Sequence, residues 1–378
     1  MTYAAITGWG KCMPPAVLSN ADLATFLETD DEWITSRTGM KERRISHVHA
    51  VELAYVASMH ALACAGLKAT DIDLIVYGSC SFDEMVPNTA SGLQYKLGAV
   101  NAASMDVNTA CTSFLYSWST ANAMIRTGVV KRALVIGVEI ISRYMDWENR
   151  GVAVLFGDGC AAIVLEATDE KTGLLAESLG CIADARGILR IGGYGATYAN
   201  ANVAFGDMSW VFDGPQIFKK AVHGMTDASA KALAKAGVTA EQIDLVVPHQ
   251  ANSRIIESVA KYAGIPMGKV QLTVQKYGNM SAATVPVALV EALEEARIQP
   301  RAKLLMPAFG AGLTVCSHYA EWGDRVTPKD VSHVELAPCE KTALQMVNEI
   351  RATKDIRGRS AAGLASAYCV DQKPYGTQ

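Results

Sequence analysis

Two stretches of the chain, 171 positions apart, repeat one another without a gap. Residues 61–79 read ALACAGLKATDIDLIVYGS, and residues 232–250 read ALAKAGVTAEQIDLVVPHQ. The helix and strand patterns that follow each stretch come in the same order at nearly the same offset. An internal repeat constrains the fold more than any other sequence feature, and units this long exclude a solenoid. The repeat therefore predicts two related halves arranged about a pseudo-two-fold axis.

Within each half, helical patterns alternate with short apolar runs. Residues 52–67 have the spacing of a helix, and Ile72 to Tyr77 read as a strand. In the second half, Val270 to Val274 read as a strand, whereas residues from about 181 to 210 read as a long irregular surface excursion. Strands that alternate with helices predict an α/β fold, in which helices cover both faces of a largely parallel sheet. We place the first half at residues 1–170, the second at 171–323, and a C-terminal extension of unknown role at 324–378. The extension contains one predicted helix and then a Gly-, Ser- and Ala-rich end.

Composition narrows the class of protein. Among 378 residues, half are hydrophobic and 19% are charged, as in ordinary globular proteins. The formal net charge of −4 does not suggest nucleic acid or an anionic membrane as a partner. The start of the chain does not read as a signal peptide, and the apolar runs are too short for a membrane span. The nine cysteines lack zinc-site spacing, so we expect free thiols, no metal and a cytoplasmic location.

One of these cysteines, Cys111, lies where a strand pattern gives way to a long helical pattern that starts near Phe114. A helix N-terminus carries unpaired N–H groups and partial positive charge, which favour a thiolate, the nucleophilic form of cysteine. The backbone N–H at such a point can also stabilise an oxyanion. A buried structural cysteine is the alternative, and partner residues elsewhere in the chain must decide between the two interpretations.

The duplication supplies those partners. It maps Cys111 close to Ser281 in the second half, beside Asn279, while His249 follows the strand at residues 244–247. Because related halves place equivalent strand ends and helix starts around one axis, Cys111, His249 and Asn279 are predicted to converge. A histidine suits a nucleophilic cysteine, and an asparagine can donate to a developing oxyanion. Taken singly, His249 could be a structural loop residue and Asn279 a turn former.

The sequence resembles the β-ketoacyl-acyl carrier protein synthase III family, of the thiolase fold, over roughly residues 3–322. The motifs that carry the resemblance are Thr109-Ala110-Cys111, Pro248-His249-Gln250-Ala251-Asn252, Gly278-Asn279-Met280-Ser281-Ala282-Ala283 and Phe309-Gly310-Ala311-Gly312. The resemblance implies a layered α-β-α-β-α architecture. It also implies a decarboxylating condensation of an acyl-CoA with malonyl-acyl carrier protein, through an acyl-cysteine, by a homodimer without a cofactor.

The resemblance also assigns residues to parts of the site. Catalysis falls to Cys111, His249 and Asn279, and the oxyanion donors are the N–H groups of Cys111 and Ala311, where many members have glycine. The implied CoA and pantetheine contacts are Trp33, Arg37, Arg150, Gly151, Gly214, Phe218, Ala251 and Asn252. Val86 and Phe309 are implied in the acyl pocket. The basic residues implied to receive the carrier protein are Lys219, Lys220, Arg254 and Lys261.

Three alternatives stay open from sequence. A biosynthetic thiolase needs a second cysteine near the C-terminal glycine-rich loop, where Cys316 is the nearest. A condensing enzyme of secondary metabolism could use the same three residues with another starter and malonyl-CoA. A non-catalytic acyl-CoA-binding protein would keep the acyl-CoA pocket, although the intact Cys, His and Asn argue against it.

The resemblance also implies which stretch closes the acyl pocket, namely the one that contains Val86. Because Val86 is small, we expect a deeper pocket that accepts medium-chain primers of about six to ten carbons.

Overall fold

A computed structural model of the chain describes residues 1–199 and 208–353. The strands within these ranges are β1 (Tyr3–Cys12), β2 (Ala16–Ser19), β3 (Glu42–Ile45), β4 (Leu74–Gly78), β5 (Ala103–Val107), β6 (Arg132–Ile140), β7 (Asp158–Thr168), β8 (Gly173–Cys181), β9 (Leu189–Gly192), β10 (Ser209–Phe212), β11 (Leu245–Val246), β12 (Lys303–Gly310) and β13 (Thr314–Glu321). The α-helices are α1 (Asn20–Ala24), α2 (Asp31–Thr38), α3 (Ala50–Ala65), α4 (Thr89–Leu97), α5 (Ser113–Arg126), α6 (Arg150–Ala153), α7 (Gly214–Ala236), α8 (Ser253–Tyr262), α9 (Val274–Tyr277) and α10 (Thr284–Glu294). Residues 343–353 form a further helix.

The strand order repeats within the main sheet. On one side of the molecule the order is β1-β7-β6-β4-β5, and on the other it is β8-β13-β12-β11. In the first series, β1 with β7 and β7 with β6 are antiparallel, and β6 with β4 is parallel. In the second series, β8 with β13 and β13 with β12 are antiparallel, and β12 with β11 is parallel. The two series meet at a bridge between Ala4 and Gly173. The predicted duplication is therefore confirmed at the level of strand topology.

The helices complete a layered architecture. Alternate residues of β4, β6 and β7 face opposite sides, one side packing on α3 and the other on the central helices α5 and α10. In the second half, β12 packs in the same way between the central core and the outer helix α7. The start of α10 at Thr284 lies 171 positions after the start of α5 at Ser113. As a result the two halves bring equivalent helix starts to the middle of the molecule.

Two local expectations need correction. The predicted strand from Val270 to Val274 is a single bridge, Val246 to Val270, followed by α9. The ladder stops because the Gln250 side chain accepts from the N–H groups of Thr273 and Val274, at 2.9 and 3.1 Å. The stretch from 181 to 210, expected to be irregular, contains an antiparallel pairing of β9 with β10. Residues 200–207, which belong to that stretch, lie outside the described residues.

The C-terminal extension packs across the first half. The Lys329 N–H donates to the Cys64 carbonyl at 3.0 Å, and the Val334 carbonyl accepts from His60 Nε2 at 2.9 Å. The helix at 343–353 buries apolar side chains in a second core cluster, close to the helix predicted there. The Gly-, Ser- and Ala-rich end lies outside the described part of the chain. Among the described helices, none combines the length and apolar character that crossing a bilayer requires.

Candidate active site

Cys111 lies in a sharp turn immediately before α5. Ala110 has a φ of 53°, in the left-handed region that residues with a side chain rarely adopt. The turn is held because Ser113 Oγ donates to the Ala110 carbonyl at 2.6 Å and accepts from the Thr109 N–H at 2.9 Å. Gly310, at the end of β12, approaches so closely that a Cβ there would lie 2.8 Å from the Cys111 nitrogen. The turn and the glycine together fix the Cys111 backbone beside the loop that carries Ala311.

The protonation state of Cys111 differs from the sequence expectation. Burial raises the pKa of the Cys111 thiol to about 12, and a hydrogen bond with Ser281 opposes that rise in part. The buried carboxylate of Glu139 raises this pKa further. In the ligand-free protein, desolvation therefore favours the neutral thiol of Cys111. Attack by the thiol form on a thioester requires an acceptor for its proton.

His249 follows β11 and is fully buried. Its backbone N–H donates to the Pro307 carbonyl at 2.9 Å, which aligns it with β12. Its Nδ1 lies 2.6 Å from the Thr284 hydroxyl, and its ring packs edge-on against Phe309, with centroids 5.4 Å apart. Burial lowers the pKa of His249 to about 3, so the imidazole is neutral at physiological pH. Its Nε2 has no hydrogen-bond partner among the described residues.

Asn279 lies in the second copy of the turn that carries Cys111. Ser281, 171 positions after Ala110, has the same left-handed conformation, with a φ of 47°. The Asn279 Oδ1 accepts from the Ser281 N–H at 2.8 Å, as Asn108 Oδ1 accepts from the Ala110 N–H at 3.1 Å. Because Oδ1 is engaged, the Nδ2 group of Asn279 is the part of the amide available as a donor to a ligand.

A cluster of charged groups anchors the segment that leads into Asn279. The Glu291 carboxylate, on α10, accepts from Tyr277 Oη at 2.8 Å and from Lys276 Nζ at 2.9 Å, and it pairs with Lys11. Burial alone would raise the pKa of Glu291, but the hydrogen bonds from Lys11, Lys276 and Tyr277 lower it to about 2. The cluster ties α9 to the central helix and so supports the position of Asn279.

One pocket brings the three predicted catalytic residues together. Its volume is about 700 Å³, and Cys111, His249 and Asn279 all line it. The other predicted site residues that line it are Trp33, Arg37, Gly151, Gly214, Phe218, Ala251, Asn252, Arg254 and Phe309. The pocket runs between α2, α7 and α8, and the catalytic residues come from both halves of the duplication. The convergence predicted from the repeat is therefore present in the fold.

Two guanidinium groups lie over the indole ring of Trp33, which lines this pocket; Arg37 also lines it, whereas the predicted Arg150 does not. The Arg37 and Arg150 guanidinium carbons are 4.6 and 4.4 Å from the ring centroid. Arg150 also donates to the Glu28 carbonyl. Trp33 is half-buried and lines the pocket, so in the ligand-free chain the indole ring expected to contact CoA is covered by protein cations.

Several predicted residues lie apart from this pocket within one chain. Val86 is 80% exposed on the loop between β4 and α4 and does not line the pocket. Lys219 and Lys261 are exposed on α7 and α8, and Lys220 lies 3.8 Å from Asp184. Ala311 is in the turn between β12 and β13, next to Gly310. Cys316, the nearest candidate for a second catalytic thiol, is fully buried on β13 and does not line the pocket.

Sequence reasoning missed Glu139, a fully buried carboxylate on β6. It accepts from the Ser281 hydroxyl at 3.0 Å, the Cys80 N–H at 3.1 Å and the Ser81 hydroxyl. Burial raises its pKa, while these hydrogen bonds lower it. The available signal was a single acidic residue in the otherwise apolar run of β6. Glu139 holds Ser281 in place behind Cys111.

Comparison with known proteins agrees with this geometry. The family model described as 3-oxoacyl-[acyl-carrier-protein (ACP)] synthase III matches residues 105–182, and the model of its C-terminal part matches residues 233–322. Beta-ketoacyl-[acyl-carrier-protein] synthase III 2 of Vibrio cholerae serotype O1 is 49% identical over 347 residues, covering 92% of this chain and 96% of that protein.

Solved structures of the family superpose on the same fold. The 3-oxoacyl-[acyl-carrier-protein] synthase III of Aquifex aeolicus is 37% identical, with a TM-score of 0.79, and covers 84% of this chain and all of that one. The synthase III of Pseudomonas aeruginosa is 34% identical, with a TM-score of 0.80, and covers 87% of this chain and all of that one. The chain therefore belongs to the 3-oxoacyl-[acyl-carrier-protein] synthase III family of thiolase-fold condensing enzymes.

Proposed function

We propose that this chain condenses an acyl-CoA primer with malonyl-acyl carrier protein and so produces a 3-ketoacyl-acyl carrier protein, the first condensation of fatty acid synthesis. The observation that carries the proposal is that Cys111, His249 and Asn279 line one pocket together. Family membership supports it, since the matched relatives are named for this reaction. The volume, about 700 Å³, suits an extended ligand such as pantetheine with an acyl chain.

In the first half-reaction, Cys111 Sγ attacks the thioester carbon of the acyl-CoA. The resulting oxyanion accepts hydrogen bonds from the N–H groups of Cys111 and Ala311. Ala311 follows Gly310, which closely approaches the Cys111 nitrogen. The carbon–sulfur bond to CoA then breaks and leaves an acyl-cysteine. Trp33 and Arg150 are proposed to hold the adenine of CoA, because an indole ring and a guanidinium plane can stack on a flat base.

In the second half-reaction, malonyl-acyl carrier protein enters the same pocket. Loss of carbon dioxide from the malonyl group leaves an enolate, whose oxygen accepts from Asn279 Nδ2 and His249 Nε2. The enolate carbon attacks the acyl-cysteine and releases Cys111 as a thiolate. Decarboxylation generates the carbanion, so the residues that the pocket contains suffice without a strong base.

The carrier protein is proposed to dock on basic residues of α7 and α8, two of the helices between which the pocket runs. Arg254 lines the pocket and is exposed, and Lys261 follows it two turns along α8. Lys219 is exposed on α7, which packs against α8. An acidic carrier would be attracted by this surface, and the attraction would weaken as salt concentration rises.

We further propose that the protein is a homodimer joined at β5. This strand is at the edge of the sheet, and it keeps Ala103 and Asp106 exposed in the single chain. An uncovered edge strand is a natural site for pairing with a second copy about a two-fold axis. On the neighbouring loop Met85 and Val86 are 62% and 80% exposed, which fits residues that a dimer would bury. Their small or flexible side chains support acceptance of medium-chain primers.

Intact-mass measurement after mixing with acyl-CoAs of increasing length tests the proposal. We expect one acyl group per chain in the wild type and none in Cys111→Ser, because a hydroxyl ionises far less readily than a thiol. Turnover should require malonyl-acyl carrier protein; malonyl-CoA as the better donor would instead indicate a secondary-metabolite condensing enzyme. Acylation of the Ser variant at the wild-type rate would exclude the proposed nucleophile.

A further inference from the structure

The Thr284 hydroxyl stands between His249 and the turn that carries Asn279. Thr284 is fully buried at the start of α10. Its Oγ1 lies 2.6 Å from His249 Nδ1 and 2.9 Å from the Ser281 carbonyl oxygen. In the contact with the Ser281 carbonyl, which accepts only, the hydroxyl is the donor. With its one proton directed there, the hydroxyl has lone pairs for His249, an arrangement that needs the proton of the neutral imidazole on Nδ1.

The duplication provides an independent check on this direction. Ser113 occupies the position in the first half that Thr284 occupies in the second, 171 residues later. Its hydroxyl donates to the Ala110 carbonyl at 2.6 Å and accepts from the Thr109 N–H at 2.9 Å. A backbone N–H can only donate, so the roles in this copy are unambiguous. By the same arrangement, the repeat predicts that the Thr284 hydroxyl accepts from His249 Nδ1–H in the second copy.

We propose that Thr284 is a positioning residue that holds His249 in its Nδ1–H tautomer, so that Nε2 faces the pocket as a lone pair. In the resting enzyme Nε2 is then an acceptor, and it is the group that receives the Cys111 thiol proton. This inference rests on the proposed function for its chemistry, although the tautomer itself can be observed without any substrate. A lone pair on Nε2 is consistent with the surroundings of this atom, which is buried and has no hydrogen-bond partner among the described residues.

The proton can be followed through both half-reactions. As Cys111 Sγ bonds to the acyl carbon, its proton moves to His249 Nε2; as the bond to CoA breaks, that proton passes to the CoA sulfur. Acylation thus leaves His249 neutral. The malonyl carboxylate then brings negative charge into the pocket, which favours uptake of a solvent proton at Nε2. The imidazolium donates to the enolate oxygen and returns the proton to the Cys111 thiolate when condensation releases it.

Nitrogen NMR of the imidazole rings tests the tautomer directly, because protonated and unprotonated ring nitrogens resonate in separate ranges. The His249 signals would be assigned by comparison with His249→Gln. We expect protonated Nδ1 and unprotonated Nε2 in the wild type and in Thr284→Ser. Thr284→Val, which keeps the shape of the side chain but removes the hydroxyl, should shift the proton toward Nε2. A wild-type His249 that is protonated on Nε2 would overturn the inference, whether or not the Val variant folds.

Acylation kinetics provide the second test. Loss of a general base typically costs about 10²–10⁴ in rate, so a misplaced proton on Nε2 should slow acylation of Thr284→Val at least about tenfold. Thr284→Ser should restore a rate within about threefold of wild type, because it keeps the hydroxyl. A folded Val variant that is acylated at the wild-type rate would refute the assigned role. Failure of every acyl-CoA to acylate the wild type would instead refute the proposed function and leave the tautomer result standing.

Discussion

Replacing Gly310 with alanine tests how tightly the nucleophile turn is held. The added Cβ would lie 2.8 Å from the Cys111 nitrogen and 2.9 Å from both the Thr109 oxygen and the Thr314 hydroxyl. Two of these three atoms belong to the backbone, which cannot rotate away as a flexible side chain can. The Cys111 N–H, a proposed oxyanion donor, must therefore move by about half an ångström to reach an ordinary contact distance.

The expected magnitude follows from that displacement. A misplacement of about 1 Å in a catalytic site can cost about 10² in rate, so half of it predicts a loss of about tenfold or more. Overpacking of a well-packed interior costs about 1–3 kcal/mol, so stability should fall measurably without loss of the fold. We therefore expect Gly310→Ala to remain folded, to melt at a lower temperature and to be acylated at least about tenfold more slowly.

The assay combines thermal unfolding with the rate of Cys111 acylation followed by intact mass. Gly268→Ala serves as a matched control, because a Cβ at that surface glycine meets no atom within 4 Å and its φ is not left-handed. The control should match the wild type in both measurements. If Gly310→Ala has wild-type acylation and stability, the turn is not held by this contact and the argument for the oxyanion site loses its structural basis.

Four further predictions follow from the site. Asn279→Ala should reduce malonyl decarboxylation by about 10²–10³, as loss of one oxyanion donor does, while Cys111 acylation largely persists; equal loss of both steps would indicate a structural role. Arg254→Glu should weaken turnover with the carrier protein most at low salt, and a salt dependence identical to wild type would remove it from the docking surface. Val86→Phe should shift primer preference toward acetyl-CoA in competition assays between acyl-CoAs. An unchanged preference, or a wild type that already prefers acetyl-CoA, would contradict the pocket argument. Because the pKa of Glu291 is about 2 in the fold against 4.5 as the reference, the stability advantage of wild type over Glu291→Gln should be full above about pH 4.5 and be lost toward pH 2 in denaturant titrations; an advantage independent of pH would contradict this assignment.

The parts of the site that sequence predicted are those tied to the repeat and to the family motifs. The offset of 171 positions located Asn279 and His249 at equivalent strand ends and helix starts, and the fold brings them to Cys111. The pocket also contains the predicted Trp33 and Phe309. These residue positions could be predicted because they follow from the order of strands and helices along the chain, which a repeat preserves.

The remaining parts depend on contacts between distant segments, which no local pattern reports. The thiol state of Cys111 reflects desolvation by the surrounding fold, whereas the sequence shows only the neighbouring helix start. Glu139 and Thr284 act through neighbours that are 142 and 35 positions away, at Ser281 and His249. The predicted strand near Val270 failed for the same reason, since the Gln250 side chain ends the ladder there.

The guanidinium contacts on Trp33 distinguish the two substrates of the proposed reaction. CoA carries an adenine ring, which in the proposed site enters between the Trp33 indole and the Arg150 guanidinium and so separates them. The phosphopantetheine of a carrier protein has no ring and leaves their contact intact. The Trp33–Arg150 contact would thus be open when acyl-CoA is bound and closed when malonyl-acyl carrier protein is bound. Of the six tryptophans, Trp33 is the one that lines the pocket. A change in indole emission on substrate binding therefore reports which substrate occupies the pocket, because a guanidinium and an adenine quench an indole differently.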